Sequence, residues 1–168
     1  MFVDKAQVSV KAGDGGNGAV SFRHEIYVDR GGPDGGDGGK GGDVVLVASR
    51  NQDTLAAFRY SKLIVAENGA NGSKQKKRGR SAEDLIVQLP VGTTVFDAEG
   101  AQVADLTEDN QQVIIAAGGN GGFGNAHFIS SVRQAPRIAE LGEKGEAMEL
   151  TFELRMLADI GLVGLPNA

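Results

Sequence analysis

Glycine recurs at every third position through residues 31–42, a stretch with the sequence GGPDGGDGGKGG. One series runs through Gly32, Gly35, Gly38 and Gly41, and a second runs through Gly36, Gly39 and Gly42. A polyproline II helix has three residues per turn, so glycines at this spacing line one edge of a left-handed extended helix. Such a helix makes no internal hydrogen bonds, and its backbone groups can pair with similar helices that approach across glycine edges. The spacing therefore predicts an ordered scaffold of stacked segments.

Two further glycine-rich stretches, GDGGNG at residues 13–18 and GGNGGFG at residues 118–124, accompany the first. Their composition is also typical of a flexible linker, and glycine-rich loops can hold phosphate. Ordering this much glycine has a large entropic cost, which favours a packed array with a specific role, such as a rigid projecting surface. We expect glycine-rich insertions between strands at about residues 13–42 and 118–146.

The nucleotide-binding motifs in these stretches lack their structural context. The pattern G-x-G-x-x-G occurs at residues 13–18, 36–41 and 119–124, and only the first match follows a clear strand pattern. A dinucleotide site would then need a helix and a second strand, where residues 31–42 stand instead. Lys40 follows a glycine, but Asp34 replaces the first glycine of a P-loop and Gly41 replaces its Ser or Thr. Lys40 is therefore not a P-loop lysine.

Alternation of apolar and polar residues predicts an all-β fold. In residues 6–11 and 148–156 the apolar side chains recur with period two, as expected of half-buried strands. Shorter β-rich stretches occupy residues 43–48, 62–67, 84–89, 92–97, 102–106 and 112–117, which gives about eight strands. The best helical segments, 54–60 and part of 125–135, are too short for a helical layer. The expected architecture is a sandwich, jelly roll or barrel.

Composition limits the classes of function. The chain has no cysteine and no apolar run near the roughly 20 residues of a membrane span, so we expect a cytoplasmic protein outside the membrane. The net charge of −5 argues against nucleic acid wrapping the whole surface, but the stretch KQKKRGR at residues 74–80 is a local basic patch. His24 and His127 have no partner at metal-ligand spacing, and we predict no metal site and no catalytic residue.

A set of motifs in a fixed order identifies a family. AGDGGNGAVSFR, GGPDGGDGGKGGDV, LPVGTTV, GGNGGFGN and LADIGLVGLPNA follow one another along residues 12–168. In this order they closely resemble the amino-terminal domain of Obg-family GTPases. The resemblance implies an Obg fold, in which a barrel or jelly-roll base of about eight strands carries a bundle of glycine-rich polyproline II helices. It also implies a role in large ribosomal subunit assembly.

The resemblance implies a domain boundary near the end of residues 1–157. Residues 158–168 would begin a GTPase domain that uses GTP and Mg²⁺, and the first half of its P-loop would be Gly164, Leu165, Pro166, Asn167 and Ala168. The lysine and the Ser or Thr of that loop are not among these residues. We therefore expect residues 1–168 by themselves neither to bind nor to hydrolyse GTP.

The resemblance also implies partners and contact residues. The expected partner is the large ribosomal subunit with its rRNA, bound by a monomer through loop tips. The predicted rRNA-binding residues are Lys74, Lys76, Lys77, Arg78, Gly79, Arg80, Arg23, Arg30 and Lys40. Two alternatives stay open: a docking module for regulatory or stress-response proteins, and an independent nucleotide-binding enzyme.

Overall fold

The protein, analysed as a computed structural model, consists of two β-sheets and an array of extended glycine-rich segments. The structure describes residues 2–23, 31–129 and 137–156. The strands are β1 (Phe2–Lys11), β2 (Val44–Ser49), β3 (Leu63–Val65), β4 (Leu85–Pro90), β5 (Thr93–Phe96), β6 (Gln102–Leu106), β7 (Gln112–Ala116) and β8 (Ala147–Met156). One short helix, α1 (Ala56–Tyr60), and a 3₁₀ helix (Asn125–Phe128) complete the regular elements. The all-β prediction is confirmed, and each predicted strand is present.

The two sheets are both mixed and both open. The larger sheet has the strand order β3-β1-β8-β5-β6, and the smaller has the order β4-β2-β7. The long strands β1 and β8 pair antiparallel along their whole length, from Phe2 opposite Met156 to Lys11 opposite Ala147. Parallel pairs join β1 to β3 and β2 to β4. Among the described residues neither sheet closes on itself, so the predicted barrel is not confirmed.

Apolar side chains from both sheets share one hydrophobic core. Val8 and Val10 of β1 are buried with Leu150 and Phe152 of β8, while the polar residues between them are more exposed. This alternation is the period-two pattern of the sequence. From the smaller sheet, β2 is buried along its whole length and contributes Leu46, which is fully buried. The shared core fixes the ends of the strands from which the glycine-rich segments emerge.

Three arms leave the sheets, and each connects a strand of one sheet to a strand of the other. The first arm (residues 12–23 and 31–43) joins β1 to β2, the second (66–84) joins β3 to β4, and the third (117–129 and 137–146) joins β7 to β8. Two of these correspond to the predicted glycine-rich insertions. The second arm was not predicted as part of the scaffold, because it contains only three glycines: Gly69, Gly72 and Gly79.

Backbone hydrogen bonds with a three-residue step hold the arms together. Within the first arm, Gly13, Gly16 and Ala19 donate to the carbonyls of Gly42, Gly39 and Gly36 at 2.8 to 2.9 Å. The bonds of Gly36, Gly39 and Gly42 to Ser73, Ala70 and Glu67 add the second arm. The bonds of Gly38 and Gly41 to Gly122 and Gly119 add the third arm. We call these interlocked arms the glycine array.

Glycine is required in the array because its segments are in very close contact. A Cβ atom built on any glycine of residues 13–42 other than Gly32 would lie under 3.0 Å from a backbone carbonyl oxygen. The same is true of every glycine in residues 69–79 and 118–145. Positive φ angles occur at only two described glycines, Gly92 and Gly100, which lie outside the array. Close packing, and not an unusual φ, therefore determines where the array needs glycine.

Candidate functional site

The basic stretch forms the turn at the far end of the second arm. The hydrogen-bond ladder runs from Glu67 beside the strands to Ser73, whose N–H donates to the carbonyl of Lys77 at 3.0 Å. Gln75 and Lys76 form the turn in the left-handed region, with φ angles of 62° and 55°. The turn thus lies at the end of the array away from the sheets, which we call the tip.

Asp34 of the first arm holds this turn. Its carboxylate Oδ2 accepts the backbone N–H of Gln75 at 3.1 Å, and its carbonyl accepts the N–H of Lys76. Asp34 is only 4% exposed, and its other oxygen, Oδ1, is buried and has no hydrogen-bond partner in the part of the chain that the structure describes. A buried carboxylate with one unsatisfied oxygen carries a desolvation cost, so its bonds to the turn are the compensating interaction.

The cations of the second arm are exposed. We call Lys74, Lys76, Lys77, Arg78 and Arg80 the basic cluster, and each side chain is exposed. Within the part of the chain that the structure describes, none of the five forms an ion pair with an acid. The backbone of Gly79, between them, donates to the carbonyl of Asp37 at 2.8 Å. The array therefore fixes the backbone and leaves the charges facing solvent.

The other predicted contact residues are in different situations. Arg23 is exposed at the tip, where its N–H donates to the carbonyl of Gly32 at 2.9 Å. The ammonium of Lys40 lies 2.6 Å from Asp43 Oδ1, beside the start of β2, so its charge is matched by a carboxylate. Arg30 and residues 164–168 lie outside the described residues, as does the predicted domain boundary.

Acidic and amide side chains bind backbone N–H groups of the array. Asp14 Oδ1 accepts from Gly145, Asp37 Oδ1 from Gly124, and Asn17 Oδ1 from Gly142, each at 2.8 to 2.9 Å. These three side chains satisfy glycine N–H groups of the third arm. Sequence analysis missed the equivalent acceptors Glu140, Glu143 and Glu146, which bind Phe123, Asn120 and Ala117. The three-residue spacing of these glutamates in the sequence matches the three-residue step of the array and could have indicated this role.

Two of these carboxylates also bind lysine. Lys11 Nζ donates to Asp14 Oδ1 at 2.8 Å, and this bond, aided by the N–H of Gly145, lowers the pKa of Asp14. Lys40 Nζ donates to Asp43, and with the N–H of Gly118 it lowers the pKa of that carboxyl against the opposing effect of burial. Both carboxylates stand where an arm meets a strand, so they tie the array to the sheets.

Sequence analysis also missed an aromatic cluster at the tip. The rings of Phe123 and His127 are stacked, with centroids 3.7 Å apart and an interplanar angle of 1°. Phe128 meets both rings edge-on. The guanidinium carbon of Arg137 lies 5.5 Å from the centre of the Phe22 ring in the same region. Sequence spacing did not predict this cluster, because the contact depends on the 3₁₀ helix that begins after Gly124 and turns His127 back toward Phe123.

Two absences hold for the described part of the chain. Residues 2–23, 31–129 and 137–156 contain no group of three or more His, Cys, Asp or Glu side chains placed to bind a metal ion. They also contain no helix long and apolar enough to cross a membrane.

Two small sheets with a shared core carry three interlocked arms that pack through close glycine contacts and end in a basic tip, so the chain is a β domain with a projecting glycine array. The family model described as GTP1/OBG matches residues 3–156, and the chain belongs to this family. The Obg-family resemblance of the sequence is thereby confirmed.

Relatives match along the whole chain. The chain is 57% identical to a GTPase Obg of Moorella thermoacetica, over 100% of its own length and 40% of that protein. It is 55% identical to a GTPase Obg of a Psychrobacter species, over 99% of its length and 42% of that protein. A GTPase Obg of Persephonella marina is 54% identical, over 99% of the chain and 49% of that protein. The chain thus spans less than half of the length of these relatives.

Proposed function

We propose that this chain is the rRNA-binding amino-terminal domain of an Obg-family GTPase that acts in large ribosomal subunit assembly. The observation that supports the proposal is the basic cluster, five exposed cations without an ion-pair partner among the described residues, on an acidic chain of net charge −5. Lys11 and Lys40, by contrast, are each paired with a neighbouring carboxylate. Unmatched cations at the end of a rigid projection suit a polyanion such as RNA.

The array supplies the rigidity that such a projection needs. We propose that its extended segments are polyproline II helices, because their hydrogen bonds repeat every three residues and their glycines lie against neighbouring carbonyls. A tip held by many backbone bonds loses little conformational freedom when it binds, which favours affinity. The negative charge of the remaining surface would orient the domain with the basic cluster toward RNA.

The proposal extends to the whole protein. Relatives carry the name GTPase, so we propose that the full protein binds and hydrolyses GTP with Mg²⁺ in a domain that follows residue 157. Residues 164–168 would open its P-loop. We expect the protein to act in the cytoplasm as a monomer.

Co-sedimentation of the full-length protein with large ribosomal subunits at several salt concentrations tests the proposal. Replacing Lys77, Arg78 and Arg80 together by alanine should weaken binding and reduce the slope of log affinity against log salt by about two to three, one for each lost phosphate contact. The matched control replaces Arg50, Lys62 and Arg155, which are exposed cations near the strand ends away from the array. It changes the net charge equally.

We expect the control variant to bind large subunits with the affinity and salt slope of the parent protein. Both variants should melt close to the parent, because exposed substitutions usually change stability by about 0.5 kcal/mol or less. If the tip variant also binds like the parent, the proposed contact is wrong. Binding that does not depend on salt would instead favour docking to a protein.

A further inference from the structure

We propose that the stacked pair Phe123–His127 is a platform on which an unpaired RNA base stacks. The proposal rests on the RNA-binding function proposed above and names the form of RNA that the tip recognises. Every nucleobase has a flat π face, and exposed aromatic rings bind unpaired bases by extending the stack, whereas bases within a duplex are already stacked on their neighbours.

The geometry of the pair suits this role. The two rings are parallel at 3.7 Å, and a base can add to the outer side of such a stack. Phe123 is 41% exposed and His127 is also exposed, although apolar rings in a domain of this size normally enter the core. Neither ring belongs to the hydrophobic core that the two sheets share. Core packing therefore does not account for the pair.

Hydrogen bonds hold Phe123 and His127 in position. The N–H of Phe123 donates to Glu140 Oε1 at 3.1 Å, and its carbonyl accepts the N–H of Glu140 at 2.9 Å. The N–H of His127 donates to the carbonyl of Gly124 at 3.0 Å. Between them, Asn125 is fully buried, and its side-chain oxygen accepts the N–H of Gly35 at 2.8 Å. The platform is thus anchored to the first arm before any ligand arrives.

The charge around the tip favours RNA as the occupant. The side chain of Asn125 donates to the carbonyl of Ser21, which places the platform beside the Phe22–Arg137 contact. The basic cluster lies at the same end of the array, across the first arm. Proteins that bind single-stranded nucleic acid combine aromatic faces for bases with cations for phosphates, and the tip of the array carries both.

Two RNA probes separate stacking from phosphate binding: a single-stranded oligoadenylate and a blunt-ended duplex of equal length. In the full-length protein, Phe123→Leu and His127→Ala should each weaken binding of the single strand by on the order of 5- to 150-fold. Duplex affinity and the salt slope should not change. His127→Phe keeps a flat ring at this position, so this variant should bind the single strand about as tightly as the parent does. In the parent, the ring protons of both residues should shift upfield when the single strand binds.

The outcomes of these experiments distinguish failure of the platform from failure of the proposed function. Equal affinity of the parent and Phe123→Leu for the single strand, or no binding of the single strand at all, overturns the platform. If the alanine variant of Lys77, Arg78 and Arg80 still loses affinity for large subunits in that case, the proposed function stands without the platform. If Phe123→Leu weakens the binding of a protein ligand and leaves RNA binding unchanged, the RNA platform is wrong.

Discussion

The Cα of Gly38 faces the carbonyl oxygen of Gly16 so closely that a Cβ at this position would lie under 3.0 Å from that oxygen. The oxygen belongs to the backbone of a neighbouring segment, so no side-chain rotation can relieve the overlap. On its other side, the N–H of Gly38 donates to the carbonyl of Gly122 at 2.8 Å. Gly38 is therefore held between two segments, and neither can move without loss of hydrogen bonds.

We expect Gly38→Val to destabilise the domain by roughly 3 kcal/mol or more, because the added side chain must push two segments of the array apart. The control is Gly32→Val, since a Cβ at Gly32 meets nothing within 4 Å and the residue is exposed. It should change stability by about 0.5 kcal/mol or less. Thermal and urea unfolding measure both. A Gly38→Val variant that melts like the parent would show that the stretch is a linker.

Hydrogen exchange should reveal the three-residue step directly. The amides of Gly16, Gly38 and Gly39 donate to carbonyls of neighbouring segments at 2.8 Å and should exchange only with opening of the array. Gly121 has no hydrogen-bond partner for its N–H among the described residues, so it should exchange much faster than Gly119 and Gly122 beside it. Uniformly fast exchange at all these glycines would contradict an ordered array.

The strands could be predicted from sequence because their signal is local. Alternation in β1 and β8 and clusters of β-branched residues in β2 and β7 each indicate a strand without reference to the rest of the chain. Their order in the sheets was not predictable in this way. The pairing of Phe2 with Met156 joins the two ends of the described chain, and no local pattern encodes it.

The second arm shows where the sequence signal became too weak. Its glycines are few, so the glycine spacing alone does not indicate that this stretch belongs to the scaffold. The missed signal lay in polar residues, because Asn68 and Asn71 accept the N–H groups of Asp14 and Asn17 at 2.8 Å. Their three-residue spacing matches that of Gly69 and Gly72. The partner segment had to be known before that spacing could be interpreted.

Asp34 allows a test of how the basic turn is held. Asp34→Ala removes the acceptor for the N–H of Gln75 and leaves a buried gap, so we expect a loss of about 1 to 3 kcal/mol. Asp34→Asn keeps an acceptor oxygen and removes a buried charge whose Oδ1 has no partner among the described residues, so it should lie within about 1 kcal/mol of the parent. Urea unfolding compares the two variants. Equal losses would show that the charge itself is required.

The last prediction concerns acid stability. Lys11 and the N–H of Gly145 lower the pKa of Asp14 in the folded protein from its usual value of 3.8. The unfolded chain therefore binds a proton here at a higher pH than the folded chain does. The resulting stabilisation is complete above the unfolded pKa and is lost as the pH falls through the folded pKa, below 3.8. The same sign applies to Asp43 with Lys40, whose pKa is also lowered.

We expect Asp14→Asn to be less stable than the parent by about 1 kcal/mol near neutral pH, because it loses the charge that binds Lys11. As the pH falls below about 3.8, the difference in free energy of unfolding should shrink toward zero, since the parent then loses the same interaction. Urea unfolding from about pH 7 to about pH 2 measures this difference. Asp53→Asn, at an exposed carboxyl with no hydrogen bond in the described structure, is the control and should stay close to the parent throughout. A difference for Asp14→Asn that stays constant into acid would mean that the amide disturbs the packing against Gly145, and that the charge of Asp14 contributes nothing to the stability of the array.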